Sequence, residues 1–132
     1  HAVLVQHTRL ERHRLPVSDV LWSADGSRVL TRGRDNLACL WDAQSGKQIA
    51  EISNVGEDAK IAISRVYIAV QDGQDRLTLV DLVTGARLFA VPVAALDSVY
   101  FDQSGQRLLV VEAPPGHDMS LRVIEVGSSG DR

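Results

Sequence analysis

Residues 12–52 read RHRLPVSDVLWSADGSRVLTRGRDNLACLWDAQSGKQIAEI, and the strand and turn signals are clearest here. Its apolar segments are short and are separated by turn signals, a pattern typical of all-β proteins. Gly and Asn in the turns supply the positive φ that tight hairpins require. No segment keeps a 3.6-residue apolar period for three turns, which argues against helices. The stretch therefore predicts four strands, at residues 19–23, 29–32, 38–42 and 48–52.

The same order of segments recurs twice more along the chain. The second unit predicts strands at residues 59–64, 66–71, 77–82 and 87–92, and the third at 98–102, 107–113 and 121–126. Trp41-Asp42, Val80-Asp81 and Ile124-Glu125 occupy equivalent places at the end of the third strand, 39 and then 44 residues apart. These spacings bracket the roughly 40–45 residues of a four-stranded propeller blade.

Residues 12–52 also resemble a WD repeat. Such a repeat starts with Gly-His, has a strand–Pro/Ala-Asp-Gly–strand hairpin and ends its third strand with Trp-Asp. The matching residues are Arg12-His13, Ser23-Ala24-Asp25-Gly26, Thr31, Asp35 and Trp41-Asp42. The second and third units lack the Trp, and the second lacks the Asp-Gly turn. The resemblance implies an all-β fold, a β-propeller of four-stranded antiparallel blades, with about three blades in this chain.

This resemblance predicts one partial propeller over residues 1–132. We expect residues 1–11 to form the outer strand of a neighbouring blade. Blades one, two and three are then expected at residues 12–55, 56–94 and 95–132, the third lacking its last strand. Propellers typically have four to eight blades. Three blades form an open arc, and we expect its two terminal faces, rich in Val, Leu and Ile, to be exposed. We therefore expect the ring to be completed by a second copy or by further sequence of a parent protein, and the missing start Met favours the parent protein.

Composition and charge exclude several classes of partner. The 132 residues are 45% hydrophobic and 23% charged with a formal net charge of −3, which does not indicate a nucleic-acid partner. No apolar run approaches the roughly 18 residues of a membrane span, so no membrane partner is predicted. Cys39 is the single cysteine, which excludes an intrachain disulfide and fits a reducing, cytoplasmic location.

One cluster looks catalytic. His13, Thr31 and Asp35 combine an imidazole, a hydroxyl and a carboxylate, as a nucleophilic triad does. In WD repeats the matching positions, with Trp41, form a buried hydrogen-bonded tetrad that ties loops to strands. An indole N–H and a hydroxyl removed from water need partners, since an unpaired one costs about 1–3 kcal/mol. We therefore interpret the four residues as a structural tetrad and predict no catalytic residue and no enzyme activity.

Metal and cofactor signals are weak. The histidines at positions 1, 7, 13 and 117 show no paired ligand spacing. The turn around Asp72 and Asp75 lacks the ligand alternation and closing Glu of a calcium loop. We predict neither a metal nor a cofactor.

In each blade, one loop precedes the first strand and another joins the second strand to the third. Basic residues occupy these loops in blade one and acidic residues occupy them in the other two blades. Blade one carries the candidate partner-binding rim, Arg12, Arg14, Arg32 and Arg34, with Arg9 nearby. The same loops carry acidic residues in the other blades, namely Glu57, Asp58, Asp72, Asp75, Glu112 and Asp118. Such a division steers a charged partner or pairs copies head to tail, although solvated loops without a partner would carry the same residues.

Three functions remain open from the sequence. The leading hypothesis is a non-catalytic protein-interaction or sensor module within a larger multidomain protein, since function in such folds lies in loops on a stiff scaffold. The first alternative is a small-molecule or catalytic site at the central channel of a completed propeller, near Asp19, Lys60 and Ser98. The second alternative is a purely structural propeller segment.

Overall fold

The computed structural model describes residues 2–5 and 8–126, and the secondary structure within these ranges consists of strands and turns without a helix. No helix long and apolar enough to cross a membrane is therefore found in that part of the chain. The strands are β1 (Val17–Trp22), β2 (Arg28–Gly33), β3 (Ala38–Asp42), β4 (Gln48–Ile52), β5 (Ile61–Ile63), β6 (Tyr67–Gln71), β7 (Arg76–Asp81), β8 (Arg87–Pro92), β9 (Leu96–Phe101), β10 (Arg107–Glu112) and β11 (Ser120–Glu125).

The strands form three antiparallel sheets in which each strand pairs with the next one along the chain. We call β1–β4 blade one, β5–β8 blade two and β9–β11 blade three. This order confirms the predicted all-β fold of successive meandering sheets. Blade three has three strands among the described residues. The prediction that it lacks a fourth strand concerns residues 127–132, which lie outside the described residues.

All strand boundaries agree with the sequence prediction to within two residues, and those of β3, β4 and β8 are identical. The largest difference in length is at β5, which is three residues long where six were expected. Its first expected positions are lost because the Lys60 amide donates to Oε1 of Gln71, at 2.9 Å. At its other end Oγ of Ser64 accepts the amides of Val66 and Tyr67, at 3.1 and 3.0 Å, and so turns the chain.

The core lies between the blades because successive side chains of a strand point to opposite faces of its sheet. Leu30 and Leu40 of blade one pack with Ile68 and Val80 of blade two. A second cluster joins the other face of blade two to blade three, through Ala69, Leu77, Leu79, Leu108 and Val110. Burying one such Leu or Val side chain stabilises the fold by about 1.5–3 kcal/mol. Blade two is therefore covered on both faces.

The outer faces of blades one and three stay apolar and exposed. Val20 and Trp22 project from β1, and Tyr100, Leu121 and Val123 project from blade three. On blade one the segment before β1 covers only the far part of the face, where Leu10 packs against Val29, Cys39 and Trp41. These exposed rows agree with the expectation of two apolar terminal faces.

The segment at residues 2–5 and 8–11 forms no strand within this chain. Residue Thr8 anchors it, since its hydroxyl donates to the Ser45 carbonyl at 3.3 Å. Val3, Leu4 and Val5 are exposed. The predicted outer strand would pair with a blade outside this chain, so that assignment, like the blade boundaries at 12–55, 56–94 and 95–132, remains a prediction.

Candidate functional site

Four side chains of blade one form a continuous hydrogen-bonded chain. The indole Nε1 of Trp41 in β3 donates to Oγ1 of Thr31 in β2, at 2.9 Å. Thr31 Oγ1 lies 2.7 Å from Nε2 of His13, and Nδ1 of His13 lies 3.1 Å from Oδ1 of Asp35. The structure thus brings together the four residues of the expected tetrad, from two loops and two strands. Their effect on stability remains a prediction.

The donors and acceptors of this chain balance for a neutral histidine. The indole N–H donates to the Thr31 hydroxyl, this hydroxyl donates to Nε2, and the Nδ1–H donates to the carboxylate. Asp35 also accepts the backbone N–H of Arg14, at 3.2 Å. Burial raises the pKa of Asp35, but the hydrogen bonds from His13 and the Arg14 amide outweigh it and hold this pKa below its ordinary value. Asp35 therefore ties the loop before β1 to the turn after β2 as a carboxylate.

The same geometry does not suit nucleophilic catalysis. A triad hydroxyl must reach a substrate carbonyl. The Thr31 residue is only 7% exposed, and its oxygen already accepts the indole N–H of Trp41. The imidazole of His13 is 5% exposed. Substrate has no access to the hydroxyl in this arrangement.

Gly33 is a site residue that the sequence analysis missed. A Cβ at this position would lie 2.6 Å from both Nδ1 of His13 and Oδ1 of Asp35. The backbone of β2 therefore passes directly beneath the imidazole–carboxylate pair, and only glycine leaves room for it. A Gly two residues after the strand Thr and two before the Asp was the available signal.

Blades two and three hold an acidic residue where blade one has Gly33. The strand ladders place Thr31, Val70 and Val110 in equivalent positions, so Asp72 and Glu112 are equivalent to Gly33. Asp72 accepts the hydroxyl of Thr78 in the third strand at 2.8 Å. Each of these two blades thus sends a carboxylate into the space that the imidazole–carboxylate pair fills in blade one.

In blade three this carboxylate belongs to Glu112. It accepts the Ala94 amide from the loop before β9 at 2.7 Å and the Nε–H of Arg122 in β11 at 2.9 Å. Asp35 makes the matching contact to the loop before β1 through the Arg14 amide. The expectation that Asp72 and Glu112 lie on an acidic rim is wrong, because both residues are buried.

Two arginines of the candidate rim form ion pairs inside the chain. The side chain of Arg32 is 11% exposed, pairs with Asp19 and donates to the carbonyl of Ala59, just before β5 of blade two. Arg12 Nε donates to Glu51 at 2.6 Å, and this hydrogen bond lowers the pKa of Glu51. Arg32 therefore joins blades one and two, and little of its guanidinium is left for a partner.

The other two arginines of the rim are exposed. The backbone N–H of Arg14 donates to Asp35. The side chain of Arg34 is 64% exposed, and its Nε lies 3.9 Å from Oε1 of the similarly exposed Glu57. Beyond Glu57 the same edge of blade two forms two adjoining clefts of about 460 and 490 Å³. Asp58 and Gln74 line both clefts. The exposed part of the rim is thus Arg14 and Arg34 beside an acidic surface at Glu57, Asp58 and Asp75.

The residues considered for a central-channel site are hydrogen-bonded to other residues and not to one another. Asp19 pairs with Arg32, the Ser98 hydroxyl donates to Asp97 at 3.2 Å, and the Lys60 amide donates to Gln71. No hydrogen bond joins any two of Asp19, Lys60 and Ser98.

Within residues 2–5 and 8–126, no three His, Cys, Asp or Glu side chains form a group that could hold a metal ion. His1 and His7, named as weak metal signals, lie outside the described residues.

Comparison with solved structures gives the fold class. The WD40 repeats of RRP9 match with a TM-score of 0.67 at 20% identity, over 89% of this chain and 37% of that chain. U3-55K gives 0.67 and 20% over 89% and 38%, and a chain of a mitotic checkpoint complex 0.66 and 21% over 85% and 36%. The chain thus spans a little over a third of the length of these three proteins.

A computationally designed protein, Ika4, also matches, with a TM-score of 0.63 at 15% identity over 89% of this chain and 71% of that one. No protein-family model matches the sequence. No curated protein matches it either. The chain has the fold of a segment of a WD-repeat β-propeller.

Proposed function

We propose that the chain is a non-catalytic protein-interaction module that binds a protein partner through the loop edge of its blades. In this proposal the segment acts within a larger multidomain protein, in which it recruits or senses the partner. The ring of blades is completed by a second copy or by further sequence of a parent protein.

The observation that carries this proposal is the charge division along one loop edge. Arg14 and Arg34 are exposed on blade one, and Glu57, Asp58 and Asp75 are exposed on blade two. Opposite charges on adjacent loops of a stiff scaffold fix the orientation of a charged partner and raise its association rate. The tetrad beneath these loops supports the proposal by holding the loop before β1 in place.

The experiment compares three immobilised forms of the chain in a cell lysate of its source. These are the unmodified chain, the double variant Arg14→Glu/Arg34→Glu, and a control with Arg87→Glu at the opposite edge of blade two. Bound proteins are identified by mass spectrometry at two salt concentrations. We expect a bound protein that the double variant loses, that the control retains and that added salt weakens, because the contacts are exposed charges.

An identical set of bound proteins for all three forms would contradict the proposal. It would favour the alternative of a purely structural segment. The central-channel alternative would gain support from binding that depends on Lys60 and is unaffected by Arg14 and Arg34.

A further inference from the structure

We propose that the outer face of blade three binds the outer face of blade one of a second copy, head to tail, and that this joint repeats the chain's own blade-to-blade packing. The inference deepens the proposed function by naming one occupant that completes the ring. Its evidence is the register of the side chains on the three sheets.

Each blade has a row of side chains on the face that points toward the next blade. In blade one Leu21, Leu30 and Leu40 lie side by side across the sheet and pack on blade two. In blade two the equivalent row is Ala62, Ala69 and Leu79, which packs on blade three. In blade three it is Tyr100, Leu109 and Val123. The end positions of this last row, Tyr100 and Val123, are 56% and 67% exposed.

The side chains that pack against the preceding blade lie on the opposite face of each first strand. Ile61 and Ile63 of β5 pack against blade one, and Val99 and Phe101 of β9 pack against blade two. The equivalent residues of β1 are Val20 and Trp22, which are 55% and 59% exposed. Strand β1 of a second copy therefore presents apolar side chains to blade three. They lie in the same register as those that β5 packs on blade one and β9 packs on blade two.

The edge of β11 provides a second, adjoining contact. Beside it lies an apolar cavity of about 230 Å³, lined by Leu77, Phe89, Val91, Leu108 and Ile124 among others. In blades one and two a fourth strand pairs with the edge of the third strand. This fourth strand directly precedes the next blade along the chain.

The segment carrying Val3, Leu4 and Val5 precedes blade one in the same topological way, and these three residues are exposed. When blade one of a second copy docks on blade three, this segment is delivered to the edge of β11. Both contacts thus follow from one placement. A heterologous joint of this kind closes into a ring when its rotation permits, and two copies make six blades, within the four to eight that propellers have.

The test measures the mass of the 132-residue chain by sedimentation velocity over a range of concentrations. We expect the 14.4 kDa chain to form a species of twice its mass. Val20→Asp and Val123→Asp each place a charge on one face of the joint. Each is expected to weaken self-association at least about tenfold. Val83→Asp, at the exposed turn between β7 and β8 of blade two, is the matched control and is expected to dimerise normally.

Mixing the two variants decides the head-to-tail geometry. Val20→Asp retains an intact blade-three face and Val123→Asp an intact blade-one face, so the mixture is expected to form a heterodimer with one joint. Thermal unfolding of each variant verifies that it is folded.

Two results would overturn the inference: a wild-type chain that stays monomeric at high concentration, or a Val20→Asp variant that self-associates as the wild type does. Neither result touches the proposed partner binding at Arg14 and Arg34, which uses a different edge of the blades.

Discussion

In blade one Nε2 of His13 lies 2.7 Å from Oγ1 of Thr31, so an imidazole from the loop before β1 is hydrogen-bonded to a hydroxyl in the middle of β2. The two residues are 18 positions apart in sequence. This one contact connects the exposed loop edge to the buried sheet, because Thr31 in turn accepts the indole N–H of Trp41.

Replacing His13 by Ala is expected to lower stability. The change leaves the Thr31 hydroxyl and the Asp35 carboxylate short of a partner in a buried place, which costs about 1–3 kcal/mol in the free energy of unfolding. Thermal and urea unfolding measure it, with the exposed His117→Ala as the control. An unchanged melting temperature, or loss of a hydrolytic activity at unchanged stability, would contradict the structural role.

Gly33→Ala is expected to destabilise the chain by about 1–3 kcal/mol, because the added Cβ meets Nδ1 of His13 and Oδ1 of Asp35 at 2.6 Å. The penalty should shrink in a His13→Ala background, since one of the two obstructing groups is then gone. A double-mutant cycle by urea unfolding measures this coupling. Gly56→Ala is the control, because nothing lies within 4 Å of its Cβ position. Equal penalties at Gly33 with and without His13 would show that the clash lies elsewhere.

Arg32 and Arg34 are expected to differ sharply although both belong to the predicted rim. Arg32→Ala removes a nearly buried guanidinium from Asp19 and from the Ala59 carbonyl, which is expected to cost about 1–3 kcal/mol. Arg34→Ala removes an exposed pair at 3.9 Å, worth about 0–1 kcal/mol. Denaturant midpoints of the two variants test this difference. Similar losses for both would mean that Arg32 does not join the blades.

Acid is expected to destabilise the chain mainly below pH 4. The amide of Ser27 and the hydroxyls of Ser23 and Ser27 donate to Asp25 and lower its pKa to about 2. A carboxylate whose folded pKa is depressed contributes stability above its unfolded pKa of about 3.9, and that contribution is lost as the pH falls toward the folded value. The pKa values of Asp42 and Asp102 are also lowered, so these residues act in the same direction.

Urea midpoints at pH 7, 5, 4 and 2.5 follow this loss. Asp25→Asn should flatten the decline in the urea midpoint between pH 4 and 2.5. The asparagine oxygen still accepts the Ser27 amide, but the side chain does not titrate in this range. A decline that is equally steep in Asp25→Asn would assign the acid sensitivity to other groups.

Local patterns were sufficient to predict the strands and turns. Short apolar runs between turn signals placed β3, β4 and β8 without error. Gly26 and Asn36 adopt the positive φ expected of them, at 75° and 61°. The shortened β5 was missed because the Lys60 amide donates to the side chain of Gln71 instead of to the backbone of β6. Whether this happens depends on which residue of β6 lies opposite Lys60.

By itself the sequence determined the meander of blades and the exposed apolar faces at both ends of the arc, since both follow from residue type and period. Its resemblance to a WD repeat predicted the tetrad. Only the tertiary structure decided which charged side chains are exposed to a partner. Arg32 and Asp72 read as rim residues in sequence, yet one joins two blades and the other is buried beside Thr78. The requirement for Gly33 likewise arises from the loop folded over it. These properties depend on contacts between segments distant in the chain, which residue type and spacing along one strand do not specify.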